Sequence, residues 1–136
     1  MATVRQEIPI DAPADAVWDA LRDWGALHDR LVPGFVTATA VEGDDRLVTF
    51  FDGTVARERL VDLDEERRRL VWSVVDGPMT HHNAAARVVA GPEAGTCVLV
   101  WTADFLPHDV APRMRELIAA GARALQRALA APAPAS

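Results

Sequence analysis

Between residues 35 and 105 the chain consists of short segments in which apolar and polar residues alternate, with polar turns between them. This alternation has the period of a half-buried β-strand. Asp52-Gly53 closes the second segment and is a strong hairpin signal. Consecutive strands joined by such turns form an antiparallel meander. The six predicted strands span residues 35–42, 46–51, 54–63, 69–75, 82–89 and 96–105.

A long helix follows the meander and is predicted from Arg113 to about Ala130. Its apolar residues recur at spacings of three and four, which makes one continuous stripe. No other predicted element is long enough to cover the apolar face of the sheet. Gly121, Ala122 and their small neighbours would not fill the space beneath the helix, so we expect a cavity there.

A strand over Thr3–Ile10 and two short helices precede the meander. Pro13 suits the first helical position, and Asp15 lies where the helix dipole favours a negative charge. Gly25 ends the first helix, and the second covers residues 27–31. The order therefore predicts an α+β fold, in which a curved seven-stranded antiparallel sheet surrounds the C-terminal helix.

The length of 136 residues suits one hydrophobic core, and no composition break marks a second one. We expect a single domain over residues 1–130. The Ala/Pro tail, residues 131–136, cannot continue a helix and is predicted to be disordered. An apolar share of 50% excludes a disordered acidic protein.

The net charge of -6 makes nucleic acid and membrane surfaces poor partners. Cys97 is the single cysteine, so no internal disulfide forms and a reducing compartment is expected. No segment has the apolar length of a membrane span or of a signal peptide. These features predict a protein of the bacterial cytoplasm.

The segment Ile10-Asp-Ala-Pro-Ala-Asp-Ala-Val-Trp18 resembles the strand-to-helix entry of the START-like helix-grip superfamily, also called SRPBCC. Asp23-Trp24-Gly25 with Pro33-Gly34 resembles the segment that follows it. The similarity extends from about Thr3 to Ala130 and is greatest to the polyketide cyclase/dehydrase and lipid-transport members. It implies the helix-grip fold, and the family contains both ligand-binding proteins and enzymes.

A narrower similarity begins at Glu58-Arg-Leu and connects this chain to plant abscisic-acid receptors, which share that fold. In those receptors the matching Glu lines a hormone pocket through water, and the loop matching residues 77–80 acts as a latch. The similarity implies that Glu58 is a pocket residue. The latch sequence differs at residues 79–81, and Ala84 and Ala86 replace a pocket Tyr and Ser, so hormone sensing is not expected.

Glu58 is also predicted to face inward from its strand alone. Either register places some charge inside, and burying one carboxylate costs less than burying the guanidinium groups of Arg57 and Arg59. A carboxylate in an apolar cavity could act as a general acid or base. The alternative is that Glu58 pairs with a nearby Arg and has a structural role.

His81 and His82 are adjacent, so they point to opposite faces of an extended chain. They do not suit one metal ion together, and no metal-binding spacing occurs elsewhere, so no metal or cofactor is expected. Alternation from Ala84 and Ala86 places His82 at the cavity mouth, whereas the latch similarity places His81 there. Either histidine could shuttle protons, and the alternative is a solvent-facing turn residue.

Trp72 and Trp101 lie in apolar runs and should point inward, either as cavity walls for a flat apolar ligand or as plain core. Thr37 and Thr39 share a predicted face and could supply hydroxyl groups. The predicted ligand-binding residues are Trp24, Thr37, Thr39, Glu58, Trp72, Met79, His81, Trp101, Leu117 and Gly121.

Two functions follow from these residues and the family resemblance. The first is binding of a small hydrophobic or aromatic molecule in the cavity. The alternative is a cyclase/dehydrase-like enzyme that moves protons on a polyketide-like or aromatic intermediate, with Glu58 and either His81 or His82 as catalytic residues. The absence of Tyr favours the first, because phenol hydroxyls often serve as donors in such enzymes.

Overall fold

The computed structural model describes residues 2–130, so the expectation for the 131–136 tail lies outside the described residues. Seven strands and two α-helices follow one another in the predicted order, with short helical segments at Trp24–Ala26, Leu27–Leu31 and His108–Val110. The main elements are β1 Ala2–Ile10, α1 Ala14–Leu21, β2 Val36–Glu42, β3 Asp45–Phe50, β4 Val55–Asp64, β5 Arg69–Val74, β6 His81–Ala90, β7 Cys97–Leu106 and α2 Ala111–Leu129.

The strands form one antiparallel sheet in the order β1-β7-β6-β5-β4-β3-β2. Strands β2 to β7 are joined as successive hairpins, and β1 pairs with β7 at the far end, where Ile8 lies opposite Leu99. The helical segments between β1 and β2 carry the chain from one edge of the sheet to the other. The predicted fold, a seven-stranded antiparallel sheet with a long C-terminal helix and two short helices, is confirmed.

The sheet and α2 share an apolar core. Ile118, Ala124 and Leu125 are buried on α2, and Phe105 and Leu99 are buried on β7. Helix α2 packs chiefly over β1 and also reaches the segment Leu27–Leu31. The helix thus covers the β1 end of the sheet, and the short helical segments Trp24–Ala26 and Leu27–Leu31 lie against β2 at the other end.

The space beneath α2 has a different origin from the one expected. Gly121 and Ala122 were predicted to leave it open, but a Cβ at Gly121 would lie 2.9 Å from the Trp101 ring, so Gly121 instead lets the helix approach that ring closely. The small residues that leave room are on the sheet. They are Ala84 and Ala86 on β6 and Ala103 on β7, each 2% exposed and each facing the space.

A β-bulge in β2 changes which side chains face inward. The register shifts between Val36 and Ala38, so Val36 and Thr39 both pair with inward residues of β3 while Thr37 is exposed. The expectation that Thr37 and Thr39 share a face is therefore wrong, because one extra residue in a strand reverses the alternation after it.

Candidate ligand-binding site

A cavity of about 520 Å³ lies between the inner face of the sheet and α2. This volume is within the range of small-molecule sites, which are mostly apolar and hold a few polar groups. The apolar lining comes from β2 to β7, from α2 and from the short helices after β1. Its larger members are Phe35, Phe50, Trp72, Met79, Trp101 and Leu117.

Two tryptophans form an aromatic corner of this cavity. Trp72 on β5 and Trp101 on β7 have ring centroids 6.4 Å apart and ring planes inclined by 47°. Strand β6 runs between them and places Ala84 opposite Trp72 and Ala86 opposite Trp101. Since neighbouring strands lie about 4.8 Å apart, the alanines allow the two rings to lean over β6 and approach each other.

Arg46 and Glu58 form a buried ion pair in the cavity wall. They lie directly opposite each other on β3 and β4, and their residues are only 3% and 7% exposed. Both Nε and Nη2 of Arg46 lie 2.8 Å from Glu58 Oε1. Arg46 also donates from Nη1 to the Trp24 carbonyl at 3.2 Å, and its guanidinium carbon lies 3.7 Å from the centre of the Trp24 ring.

Burial and pairing have opposite effects on the pKa of Arg46. Burial lowers the pKa of the Arg46 guanidinium, and the neighbouring Glu58 carboxylate opposes that shift. A buried charge is tolerated when it is paired and hydrogen-bonded. The structure therefore combines two of the sequence alternatives for Glu58, since this residue both lines the cavity and pairs with an arginine.

The other side of β4 shows why this register is preferred. Arg57 and Arg59 point outward, as the sequence predicts, and both donate to the carboxylate of Asp45, at distances from 2.8 to 3.1 Å. The hydrogen bonds from Arg59 and Arg57 lower the pKa of Asp45 to about 2. Turning β4 over would bury two guanidinium groups in place of one carboxylate.

His82 is the second polar group of the cavity wall. It is 7% exposed, and its Nδ1 accepts a hydrogen bond of 3.0 Å from the backbone N–H of Val74. Burial, with a smaller contribution from His81, lowers the pKa of His82 to about 4. The ring is therefore uncharged at neutral pH, and because Nδ1 is an acceptor, the proton is on Nε2.

Several predicted site residues line the cavity and others do not. His81 is exposed on the opposite face of β6, whereas the latch similarity placed it at the mouth. Trp24 lies behind the Arg46 guanidinium, and Gly121 packs against Trp101. The predicted residues in the lining are Glu58, Trp72, Met79, His82, Trp101 and Leu117.

The two threonines of β2 also lie outside the lining. Thr37 is exposed and donates to the Thr49 carbonyl at 3.3 Å. Thr39 pairs with the inward residue Val48, but it is not among the residues that line the cavity. Within residues 2–130, the Thr39 hydroxyl and the Trp24 indole N–H are both buried without a hydrogen-bond partner.

Arg46 is one of the site residues that the sequence interpretation missed. Its strand carried a usable signal, because Arg46, Val48 and Phe50 have the same parity and the latter two are apolar. Alternation along β3 thus places a guanidinium on an inward face. An inward arginine requires a carboxylate partner, which an inward Glu58 on the next strand provides.

The site offers limited means for covalent or metal chemistry. No group of three or more potential metal-ligating residues occurs in the described part of the chain. The sequence contains no lysine, so no side-chain amine can form a Schiff base with a carbonyl compound. Among residues 2–130, no helix has the length and apolarity that crossing a membrane requires.

Comparisons with known proteins agree with this architecture. A START superfamily protein from Mycobacterium smegmatis superposes with a TM-score of 0.74 at 15% identity, covering 93% of this chain and 96% of that one. Norcoclaurine synthase from Thalictrum flavum, in complex with dopamine and hydroxybenzaldehyde, gives a TM-score of 0.70 at 21% identity, with 93% and 84% covered. The fold is therefore the START-like helix-grip fold.

Sequence comparisons identify the family to which this chain belongs. The model of the family described as polyketide cyclase/dehydrase and lipid transport matches residues 1–133. A protein from Thermobifida fusca is 34% identical, with a TM-score of 0.74 and coverage of 93% of this chain and 89% of that one. A search among curated proteins finds no match. The chain belongs to the polyketide cyclase/dehydrase and lipid transport family.

Proposed function

We propose that the protein binds a small hydrophobic or aromatic molecule in the cavity between the sheet and α2. The observation that carries the proposal is the cavity of about 520 Å³ with the inclined pair Trp72 and Trp101 in its wall. Aromatic walls offer a large contact area and stacking to flat apolar ligands. The norcoclaurine synthase complex with dopamine and hydroxybenzaldehyde supports this use of the fold.

Two polar groups can orient such a ligand. Glu58 accepts both Arg46 contacts through Oε1, which leaves Oε2 as an acceptor. His82 uses Nδ1 for the backbone of β5, which leaves its Nε2–H as a donor. A ligand with one hydroxyl and one carbonyl group can satisfy both, while the rest of its surface contacts apolar wall.

The experiment fills the cavity and measures binding. Ala86→Leu adds a larger side chain to the cavity wall, and Ala85→Leu is its matched control because Ala85 lies on the opposite face of β6. We expect an uncharged aromatic probe to quench or shift tryptophan fluorescence of the parent and of the Ala85 variant. Binding to the Ala86 variant should be at least about tenfold weaker, because its side chain occupies the ligand's volume.

Two results would contradict binding in this cavity. One is a parent protein that takes up no apolar probe in fluorescence titration and carries no small molecule in native mass spectrometry after purification. The other is equal loss of probe affinity in the Ala85 and Ala86 variants, which would place the probe elsewhere.

A second candidate function is an enzyme of the cyclase/dehydrase kind. One observation favours it: Glu58 and His82, two groups capable of proton transfer, line the same cavity. If the protein is such an enzyme, Glu58→Gln and His82→Asn should lower kcat for a polyketide-like or aromatic substrate much more than they raise KM. His81→Ala is the matched control, since His81 is exposed and should leave kcat unchanged. Losses confined to KM would support binding alone.

A further inference from the structure

The charged residues that line the cavity divide into a buried set and an exposed set. Arg46 and Glu58 are buried and pair with each other, so they lie in the interior. The others both line the cavity and reach solvent, so they lie at its rim. They are Asp52 in the β3–β4 hairpin, Asp76 in the β5–β6 loop, Asp109 before α2 and Arg113 in the first turn of α2.

The rim has an excess of negative charge. Arg113 pairs with Asp52 across the rim, at 3.3 Å, and these two charges compensate each other. Asp76 accepts a backbone hydrogen bond from Arg57 at 3.0 Å but has no ion pair, and Asp109 also has none among residues 2–130. Two carboxylates are thus left uncompensated at the entrance, and they raise the energy of an anion that approaches it.

The interior does not compensate an anion that passes the rim. The guanidinium of Arg46 already has the Glu58 carboxylate as its partner. His82 offers one N–H donor and no charge, because its Nδ1 accepts from the β5 backbone. An anion that enters would lose its hydration without gaining an unpaired cation, and such desolvation is costly.

We infer that the cavity selects uncharged apolar molecules, with hydroxyl or carbonyl groups as their polar part, and rejects carboxylates of the same size and shape. This inference rests on the proposed binding function. It identifies Asp76 and Asp109 as residues that determine specificity at the entrance, and it assigns the interior preference to the paired state of Arg46 and Glu58.

The test compares two ligands that share a ten-carbon chain, decanol and decanoate, at neutral pH, where only the second is charged. Each displaces the uncharged dye N-phenyl-naphthylamine from the protein, and the dye's fluorescence reports the loss. Decanol should displace the dye at a free concentration lower by at least about tenfold than decanoate.

A pair of charge variants locates the effect. Asp76→Asn with Asp109→Asn removes both uncompensated rim charges and keeps one side-chain oxygen at each position. We expect it to bind decanoate about threefold or more tighter than the parent and decanol unchanged. Glu66→Gln with Glu93→Gln removes the same number of charges in turns whose residues do not line the cavity, and it should match the parent.

Each outcome has a distinct meaning. Equal displacement by decanol and decanoate in the parent would overturn the inference while leaving ligand binding intact. An equal gain in decanoate affinity for both double variants would overturn the role of the rim, because overall charge would then explain the effect. Failure of the dye to bind the parent would overturn the proposed function, and this inference with it.

Discussion

Removing one partner of the Arg46–Glu58 pair should destabilise the protein strongly. Glu58→Leu takes away the carboxylate that accepts both 2.8 Å contacts from a guanidinium in a residue only 3% exposed. A guanidinium does not lose its proton in proteins, so the variant must keep an uncompensated charge in the wall or open the site to water. Breaking a buried pair in this way costs about 3–5 kcal/mol of unfolding free energy.

The structure places the expected loss at the lower end of that range. Arg46 retains the Trp24 carbonyl at 3.2 Å and the Trp24 ring at 3.7 Å, which continue to stabilise its charge. A cation–π contact of this kind contributes about 0.5–2 kcal/mol. We therefore expect a loss of about 3 kcal/mol, which is a large share of the roughly 5–15 kcal/mol that holds an ordinary domain folded.

Urea unfolding followed by tryptophan fluorescence measures this loss, and a double variant is its control. Arg46→Met with Glu58→Leu removes both charges and keeps apolar volume, so its stability should fall within about 1–2 kcal/mol of the parent. The cycle of the parent, the single variants Arg46→Met and Glu58→Leu, and the double variant should give a coupling energy of at least about 2 kcal/mol. A single variant that loses less than about 1 kcal/mol, or a double variant no more stable than the Glu58 single, would refute the reasoning.

Three smaller effects can be measured on the same protein. Since the pKa of folded His82 is about 4 against 6.5 for the free side chain, its contribution to stability is present above about pH 6.5 and is lost as pH falls toward 4. His82→Asn keeps an acceptor and should remove on the order of 3 kcal/mol of that pH dependence in urea titrations at several pH values. Gly121→Ala should cost about 1–2 kcal/mol despite better helix propensity, because the new methyl meets the Trp101 ring, and thermal unfolding checks it. Asp52→Asn breaks an exposed bridge to Arg113 and should change stability by less than about 1 kcal/mol in the same assay.

Local sequence signals were sufficient to predict the fold. Glycine marks the turns after β2, β3, β5 and β6, and each of these residues, Gly43, Gly53, Gly77 and Gly95, has a positive φ. Between residues 35 and 129, the two-residue alternation of strands and the three- and four-residue spacing of helices occur in separate segments. The change from meander to helix is therefore unambiguous. Such features depend on residues close in sequence, and no long-range pairing had to be known.

The buried ion pair depends on a register that the sequence does not fix. A two-residue turn at Asp52-Gly53 would place Arg46 opposite Arg59 and not opposite Glu58. The structure has a longer loop, in which the backbone N–H of Phe50 donates to the Thr54 carbonyl at 2.8 Å. That one-residue difference sets Arg46 against Glu58, and a one-residue slip reverses every side chain of a strand. The charge argument predicted the face of Glu58 correctly, but it could not supply the partner.

The protonation of His82 and the contacts of Glu58 bear on the choice between ligand binding and catalysis. A proton-transfer residue must change its protonation during the reaction, and it does so best when its pKa is near the working pH. His82 is held neutral by burial, with its pKa lowered to about 4. Glu58 has a fixed position, because Oε1 accepts both contacts from Arg46. A neutral His82 and a Glu58 of fixed position suit the orientation of a ligand, which needs a donor and an acceptor at defined places. An enzyme built on this site would contact its substrate through Oε2 of Glu58, the oxygen that Arg46 does not contact. The neutral state of His82 therefore favours ligand orientation over proton transfer.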